Sequence, residues 1–348
     1  MDGTQRQARI AFIGAGRHAN NLLYPCLAQI PEIDLVAVCD QKEDLARHAA
    51  RAYGARRWYT DADRLLGEEP ELDGVVIVGA PQMMSTLGAQ VLRTRSLPIF
   101  VEKPPAINAA EAEALATVAR EQGAWGQVGF MKRFAAAYVL AKQATEEPWF
   151  GPVSTIHCKF TNGESGCLWG LDHPGVSFLT GQAIHSFDLI QHFGGSVVEV
   201  YGRYLERSPV RHGFAITVVF ASGAIGTLNV NSFESWQCID EYLSVSGELN
   251  YLTVDDMLYL HLYRQEAWGK LDMPGLVQNF SQEWRPTGPV APDMRLLAGY
   301  RDELREFARC LLEGDRPGPD LEAGASALRV GEAVWASCRS GRAEAVGS

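Results

Sequence analysis

The chain has 348 residues, of which 47% are hydrophobic and 21% charged, as in a globular protein long enough for about two domains. Its 42 Asp and Glu residues outnumber its 31 Lys and Arg residues, and the resulting net charge of −11 disfavours a nucleic acid or an anionic membrane as partner. The sequence shows no secretory leader pattern and no apolar run of membrane-spanning length, so a cytoplasmic protein is expected.

The first third of the chain alternates short apolar runs with helical patterns. The runs "RIAFIGAG", "IDLVAVCD", "LDGVVIVGAP" and "LPIFVEKPP" are separated by segments of helical length and period. Strands that alternate with helices in this way form βαβ units, with a parallel sheet between two helical layers. The pattern predicts an α/β dinucleotide-binding domain of the Rossmann type over residues 1–125.

The strand pattern changes beyond about residue 150. The runs "VSTIHCKF", "VVEVYGRYLE", "FAITVVFASGAIGTLNVNS" and "EYLSVSGELNYLTV" follow one another closely, with Gly and Ser turns between them. Close spacing of this kind is typical of an antiparallel sheet. A second, α+β domain is therefore expected over residues 126–348.

The first strand leads directly into a glycine-rich turn, "IGAGRHA". Gly14 allows a tight turn, Gly16 lets backbone N–H groups approach a pyrophosphate, and Ala19 keeps the following helix close to the strand. Arg17 and His18 stand at the start of that helix. The strand, turn and helix together predict a dinucleotide site.

An acid ends the second strand, twenty-one residues after Ala19. This residue, Asp40, can accept hydrogen bonds from ribose hydroxyls and would repel a 2′-phosphate. Gln41 and Lys42 follow it without an arginine that could hold such a phosphate. NAD is therefore the expected cofactor, and Lys42 leaves NADP as the alternative.

A lysine follows the strand "PIFVE" at the edge where open α/β sheets bind their ligands. Pro104 favours an extended backbone at Lys103, which presents that side chain. A positive nicotinamide ring beside the ammonium group would lower the pKa of Lys103 and make it a general acid/base. A plain surface pair of Glu102 and Lys103 before a proline turn is the alternative.

The helical stretch "FLTGQAIHSFDLIQHFGG", residues 178–195, carries His185, Asp188 and His192 on one stripe. The stripe could be a solvated face or part of a catalytic centre. Seven residues separate the two histidines, about 10.5 Å along a helix, which is too far for both to bind one metal ion. No metal site is expected.

Together these motifs resemble the Gfo/Idh/MocA family of oxidoreductases. "GAGRHA", the strand-end Asp40, "VEKPP", "VGFMKRF" and "GQAIHSFDLIQHFGG" occur in that family's order and spacing along nearly the whole chain. The resemblance implies a Rossmann domain followed by a domain with an open, mostly antiparallel sheet, whose exposed face commonly forms dimers or tetramers. It also implies sugar, sugar-nucleotide or cyclitol substrates.

The resemblance further implies roles for individual residues. Glu102 and Lys103 would lie at the cofactor, often with a cis peptide before Pro104, and His185 and Asp188 would supply the other side of the pocket. His185 would exchange a proton with a substrate hydroxyl, Asp188 would orient it, and His192 would be structural. Further candidate contacts are Gln182 for the substrate, Arg133 in "MKRF" for substrate or cofactor, and Ala80 and Pro81 in "GAPQMM" for the cofactor.

Two positions depart from the family pattern. Many relatives have Asp or Asn where this chain has Gly181, and a histidine often follows the prolines where this chain has Met84. Trp169 and His173 in "CLWGLDHPG" are candidate replacements, since an indole can stack on a sugar ring and an imidazole can bind a hydroxyl. Packing within their loop is an equal alternative.

The expected function is hydride transfer between a nicotinamide cofactor and a secondary alcohol or ketone of a sugar, sugar derivative or cyclitol. One alternative is a dinucleotide-binding regulator without turnover. The other is NAD-assisted glycoside cleavage through transient oxidation. Apolar residues on both faces of "FAITVVFASGAIGTLNVNS" also predict a homodimer or homotetramer that buries the second face.

Overall fold

The computed structural model describes residues 6–237, 240–264, 281–286 and 293–347. Its helices are α1 Tyr24–Leu27, α2 Glu43–Tyr53, α3 Ala62–Glu68, α4 Pro81–Arg95, α5 Ala109–Glu121, α6 Ala136–Glu146, α7 Pro174–Phe178, α8 Ile184–Gly194, α9 Met294–Leu297, α10 Tyr300–Glu313 and α11 Leu321–Ser340. Segments Ala19–Leu23 and Leu179–Ala183 are π-helical, and Met131–Phe134 is a 3₁₀ turn.

The strands are β1 Ala8–Ile13, β2 Ile33–Cys39, β3 Arg57–Tyr59, β4 Gly74–Ile77, β5 Ile99–Glu102, β6 Gly126–Gly129, β7 Thr155–Thr161, β8 Val197–Ser208, β9 Arg211–Phe220, β10 Ile225–Asn231, β11 Asp240–Ser246, β12 Tyr251–Asp255, β13 Tyr259–Tyr263, β14 Ser281–Trp284 and β15 Glu344–Ala345. The chain forms two compact units. The first contains residues 1–134 and 294–328, and the second contains residues 135–293 and 329–348. A division of the chain at residues 125 and 126 stays a prediction.

The first unit is built on a six-stranded sheet with the order β3-β2-β1-β4-β5-β6, in which every neighbouring pair is parallel. This is the strand order of a dinucleotide-binding Rossmann domain, and the predicted fold class is confirmed. Because the order reverses between β1 and β4, the crevice beyond their carboxyl ends is the expected ligand position.

Local sequence explains where the helices of the first unit begin and end. Asp61 caps α3 by accepting a hydrogen bond of 2.8 Å from the backbone N–H of Arg64, and Asn108 caps α5 in the same way. Gly54 ends α2 in the left-handed conformation, with φ +80°. The connections at the ligand edge of the sheet are therefore short and defined.

The core of the first unit joins the sheet to a helix from much later in the chain. Phe12 stacks on Tyr24 with ring centroids 4.2 Å apart, and Phe100 meets Phe307 of α10 edge to face at 6.0 Å. All four side chains are fully buried. Loss of any of these rings would cost about 3–5 kcal/mol, so α10 is held firmly to this unit.

The second unit contains a nine-stranded sheet with the order β14-β13-β12-β11-β7-β10-β9-β8-β15. Every neighbouring pair is antiparallel except β7 and β10, which run parallel over Thr155–Thr161 and Ile225–Asn231. The predicted mostly antiparallel sheet is confirmed.

One face of this sheet is buried and the other is exposed along β9 and β10. Phe214, Ile216 and Val218 point inward and are at most 3% exposed. The outward residues of the two strands differ from the expected apolar set, because Ala215, Thr217, Ile225, Thr227 and Asn229 make that face small and mixed in polarity. None of the described helices has both the length and the apolar character needed to cross a membrane.

Candidate functional site

The glycine turn after β1 fits tightly against the end of β4. Gly14 has φ +107°, and a Cβ atom added there would lie 1.9 Å from the backbone oxygen of Val78. Position 16 differs, because no atom lies within 4 Å of an added Cβ. The turn thus requires glycine at 14 for its own shape and leaves open space beside Gly16, where a pyrophosphate would approach.

Asp40 connects this turn to the second strand. Its Oδ2 accepts a hydrogen bond of 2.8 Å from the N–H of Ala15, and its Oδ1 accepts one of 2.9 Å from the N–H of Lys42. Each carboxylate oxygen keeps a second lone pair for a ligand hydroxyl. The side chain is therefore fixed in position before any ligand arrives.

A cavity of 340 Å³ opens beside the turn and Asp40. Its lining is Ile13, Gly14, Gly16, Cys39, Asp40, Gln41, Thr60, Asp61, Ala62, Asp63, Val78, Gly79, Met83, Leu87 and Gln90. The open space at Gly16, the anchored carboxylate and the neighbouring cavity are the three features that a dinucleotide needs at this edge of the sheet.

Sequence reasoning missed several residues of this cavity, namely Thr60 to Asp63 after β3 and Met83 and Gln90 on α4. The segment after β3 could have been found, because β3 is a parallel strand whose carboxyl end reaches the same edge. Ala80 and Pro81 are the N-cap and first residue of α4. Arg17 and His18 are exposed beside Gly16.

Lys103 follows β5 directly, after a strand that is fully buried. Its backbone N–H donates a 3.0 Å hydrogen bond to Oε2 of Glu102, and the Lys103–Pro104 peptide is cis. The Glu102 carboxylate lies 3.3 Å from Nε2 of His18 and packs on Gly129, where an added Cβ would be 3.2 Å from both its oxygens. Glu102 thus contacts His18 at the end of the glycine-rich turn and also binds the backbone of Lys103.

Burial lowers the pKa of Lys103 below its usual value. The negative charges of Glu102 and Glu303 oppose this shift, and the positive charge of Lys132 adds to it. A positive nicotinamide ring was the expected cause of a lowered pKa at Lys103. In the structure, the protein interior already disfavours the charged amine before any cofactor binds. A lowered pKa favours a lysine that exchanges protons with a substrate over one that only carries a charge.

The buried cation of the "MKRF" turn is Lys132, which is 3% exposed, whereas the predicted Arg133 is half-buried. Sequence reasoning missed Lys132 because adjacent residues of a short turn point in different directions and both carry a positive charge. Arg133 as a contact for substrate or cofactor stays a prediction.

In the second unit, the stretch 178–195 is not one regular helix. Leu179–Ala183 forms a π-helical turn, and α8 begins at Ile184. π-Helical turns inside helices frequently occur at functional sites. His185 and Asp188 follow this turn and are only 6% and 1% exposed.

This burial argues against a solvated stripe at His185 and Asp188, since an ordinary outer face would be wet. His192 and Gln182 are half-buried. Within the described residues, no three His, Cys, Asp or Glu side chains are grouped so that they could hold a metal ion.

Trp169 fills the space that a side chain at position 181 would need. A Cβ atom added to Gly181 would lie 2.9 Å from Cη2 and 3.0 Å from Cζ3 of the indole. Trp169 itself has a left-handed backbone, with φ +55°. The indole is thus placed one helical turn before His185, and an acid at position 181 would displace it.

His173 caps a helix and packs against two aromatic rings. It caps α7, with Nδ1 accepting a 3.1 Å hydrogen bond from the N–H of Gly175. Its ring packs against Trp335 at 4.4 Å and Tyr204 at 5.6 Å between centroids. These contacts favour the packing alternative, and substrate binding by His173 stays a prediction.

Comparison with known proteins gives matches along nearly the whole chain. The Gfo/Idh/MocA family profile described as "Oxidoreductase family, NAD-binding Rossmann fold" matches residues 8–130. The companion profile, "Oxidoreductase family, C-terminal alpha/beta domain", matches residues 142–346. The two profiles correspond to the parallel and the mostly antiparallel sheet.

Two relatives are similar over nearly their whole length. The chain is 28% identical to scyllo-inositol 2-dehydrogenase (NAD(+)) of Bacillus subtilis, over 97% of this chain and 96% of the relative. It is 25% identical to myo-inositol 2-dehydrogenase of Thermotoga maritima, over 94% and 95%. A solved structure of a dehydrogenase from Chromobacterium violaceum has a TM-score of 0.87 and 25% identity, over 97% of both chains.

Proposed function

Because the chain belongs to the Gfo/Idh/MocA family of oxidoreductases, with an NAD-binding Rossmann domain, we propose that it is an NAD-dependent dehydrogenase of a cyclitol or sugar. The observation that carries this proposal is the half-buried Lys103 at the ligand edge of the parallel sheet, with a pKa lowered by desolvation. The full-length similarity to two inositol 2-dehydrogenases supports a cyclitol as the first substrate to test.

The first unit would hold the cofactor through the turn at Gly14 and Gly16 and through Asp40. When bound, the nicotinamide supplies the hydride chemistry. Asp40 would accept hydrogen bonds from the adenosine ribose, since its oxygens are already positioned by two backbone N–H groups.

Lys103 would take the proton of the substrate hydroxyl during oxidation and return it during reduction. His185 would bind a substrate hydroxyl and share in proton transfer, with Asp188 orienting its ring. Burial of both polar side chains directly after a π-helical turn supports these roles, because such turns frequently occur at functional sites. Trp169 would offer an indole face to the ring of the substrate.

The test is absorbance of the reduced nicotinamide with purified protein, NAD and a panel of cyclitols and sugars. Net reduction of NAD, with a ketone as product and no glycosidic bond broken, would support the dehydrogenase and exclude glycoside cleavage. Binding of NAD without turnover on any panel member would favour the regulator. A cytoplasmic location is part of the proposal.

Replacement of Asp40 by Ser is expected to narrow the preference for NAD over NADP. The native protein should bind NAD at least about tenfold more tightly, a difference of about 1.4 kcal/mol, because the carboxylate repels a 2′-phosphate. Calorimetry with both cofactors measures the ratio. Asp44→Asn removes an exposed acid four residues away and should leave it unchanged. Equal affinity of the native protein for both cofactors would contradict the role of Asp40.

Association through the outer face of the second sheet is also proposed. This face carries the exposed apolar residues Leu205 on β8 and Ile225 on β10, at 44% and 57% exposure, with β9 between the two strands, and Val198 at the start of β8 is 42% exposed. Burying them between copies would remove apolar surface from water. Light scattering is expected to give a dimer or tetramer at micromolar concentration. A particle of 38.1 kDa would show a monomer and refute this.

A further inference from the structure

Helix α10 places one carboxyl side chain, that of Glu303, in the interior of the first unit. Glu303 is 0% exposed, and neither of its carboxyl oxygens has a hydrogen-bond partner among the described residues. Its backbone is held at both ends, because its N–H donates to Gly299 O at 2.9 Å and its C=O accepts from Nε2 of Gln127 at 2.9 Å. The backbone of Glu303 is therefore fixed to β6, and its side chain lies away from solvent.

A buried carboxylate has a high desolvation cost, so the charges of its neighbours determine whether it is protonated. The charged groups that act on it are Glu102 and Lys103, at the end of β5. Lys132 acts on Lys103 from the 3₁₀ turn that packs against α10. Burial raises the pKa of Tyr300, one turn before Glu303, and the negative charges of Glu102 and Glu303 add to that rise.

This charged cluster contains two acids and two amines, Glu102, Lys103, Lys132 and Glu303, and His18 contacts it through Glu102. Burial raises the pKa of Glu303 well above its usual value, Glu102 adds to the rise, and Lys103 opposes it. By linkage, the ammonium form of Lys103 favours the carboxylate form of Glu303, and that carboxylate in turn favours the ammonium form of Lys103. The neighbouring Asp302, in contrast, pairs with Arg301 and Arg305 at the surface.

We propose that Glu303 is a positioning residue for Lys103, which stabilises the ammonium form that arises when Lys103 takes the substrate proton. The inference rests on the proposed acid/base role of Lys103. In that step the hydroxyl proton moves to Nζ of Lys103 and the hydride moves to NAD. Glu303 would act through its charge and not by contact with substrate or cofactor. Two ring contacts place its helix at the end of β5, because Phe307 meets Phe100 at 6.0 Å and Tyr300 meets His18 at 6.1 Å, beside Glu102.

The decisive variant is Glu303→Gln, which keeps the shape and removes the charge. Without the carboxylate, ammonium at Lys103 is less stable, so its pKa falls. The acidic limb of the pH profile for alcohol oxidation should then move to lower pH by about 1 unit, the lower end of the range for one close opposite charge. Asp302→Asn is the matched control and should leave the limb unchanged. Glu303→Asp retains the charge and should keep the limb near that of the native protein.

A second measurement does not depend on turnover. Lysines labelled with ¹³C at Cε report the titration of Lys103 by NMR in the NAD-bound protein, with Lys103→Met giving the assignment. The pKa of Lys103 should be lower in Glu303→Gln than in the native protein. Absence of turnover in the native protein would count against the proposed function and leave this titration valid.

The stability of the variant distinguishes charge from packing. A carboxyl whose pKa is raised in the native state makes the free energy of unfolding fall as pH rises above the unfolded value of about 4.3. Glu303→Gln should flatten this fall and be at least as stable as the native protein at pH 8. An unchanged pKa of Lys103 would overturn the proposal, as would loss of the folded state in Glu303→Gln while Asp302→Asn stays folded.

Discussion

Replacement of Lys103 by Met is expected to lower turnover by about 10²–10⁴, the range for loss of a general acid/base. Methionine keeps much of the volume of the lysine stem and removes the titratable amine. Affinity for NAD should change far less, because the glycine turn and the two hydrogen bonds to Asp40 are untouched. Single-turnover hydride transfer with saturating NAD measures the chemical step directly.

The contrasting variant is His185→Ala, which should also slow turnover but with a larger rise in KM. The imidazole would bind the substrate hydroxyl in both the ground state and the transition state. Its removal would weaken both states, so KM would rise. A Lys103→Met protein that transfers hydride at the native rate would remove Lys103 from the mechanism. The search for the base would then move to the second unit, beginning with His173 and Gln182.

The parts of the site that sequence could predict are those in which one short segment contains the whole signal. The strand before Gly14, the spacing to Asp40 and the position of Lys103 after a buried strand each depend on neighbours in sequence. The strands that precede Gly14, Asp40 and Lys103 are β1, β2 and β5, and all three belong to the parallel sheet that was predicted. Local patterns of this kind do not require knowledge of tertiary packing.

The charged cluster around Lys103 could not be predicted in this way. Glu303 lies 200 residues after Lys103, in a helix whose pattern of charges looks like that of a surface helix. Only the return of α10 to the first unit, with Phe307 packed on Phe100, brings it to β5. The segment "YRDELREFARCLLE" has the period of an amphipathic helix, but that period gives no sign that one of its acids is fully buried.

The surroundings of Gly181 show a second limit. The absence of a side chain there was visible in the sequence, and Trp169 was one of two candidate replacements. The structure places the indole over Gly181 and uses His173 to cap α7. The position of the indole over Gly181 depends on the left-handed backbone at Trp169, which residue types alone do not predict. Its role toward substrate stays a prediction.

Replacement of Gly14 by Ala is expected to destabilise the protein by at least about 2 kcal/mol and to weaken NAD binding at least about tenfold. Two separate effects act together. The φ of +107° is unfavourable for any residue with a Cβ, and the new methyl group would lie 1.9 Å from the backbone oxygen of Val78. Either the turn or the end of β4 must move, and both line the cavity beside Asp40.

Gly16→Ala separates binding from folding. An added Cβ at position 16 meets no atom within 4 Å, so thermal unfolding should stay within about 0.5 kcal/mol of the native protein. The same methyl group would occupy the space in which backbone N–H groups approach a pyrophosphate, so NAD affinity should still fall. Calorimetry and thermal unfolding of both variants measure the two effects. Native stability in Gly14→Ala, or native NAD affinity in Gly16→Ala, would show that the turn does not hold the cofactor as proposed.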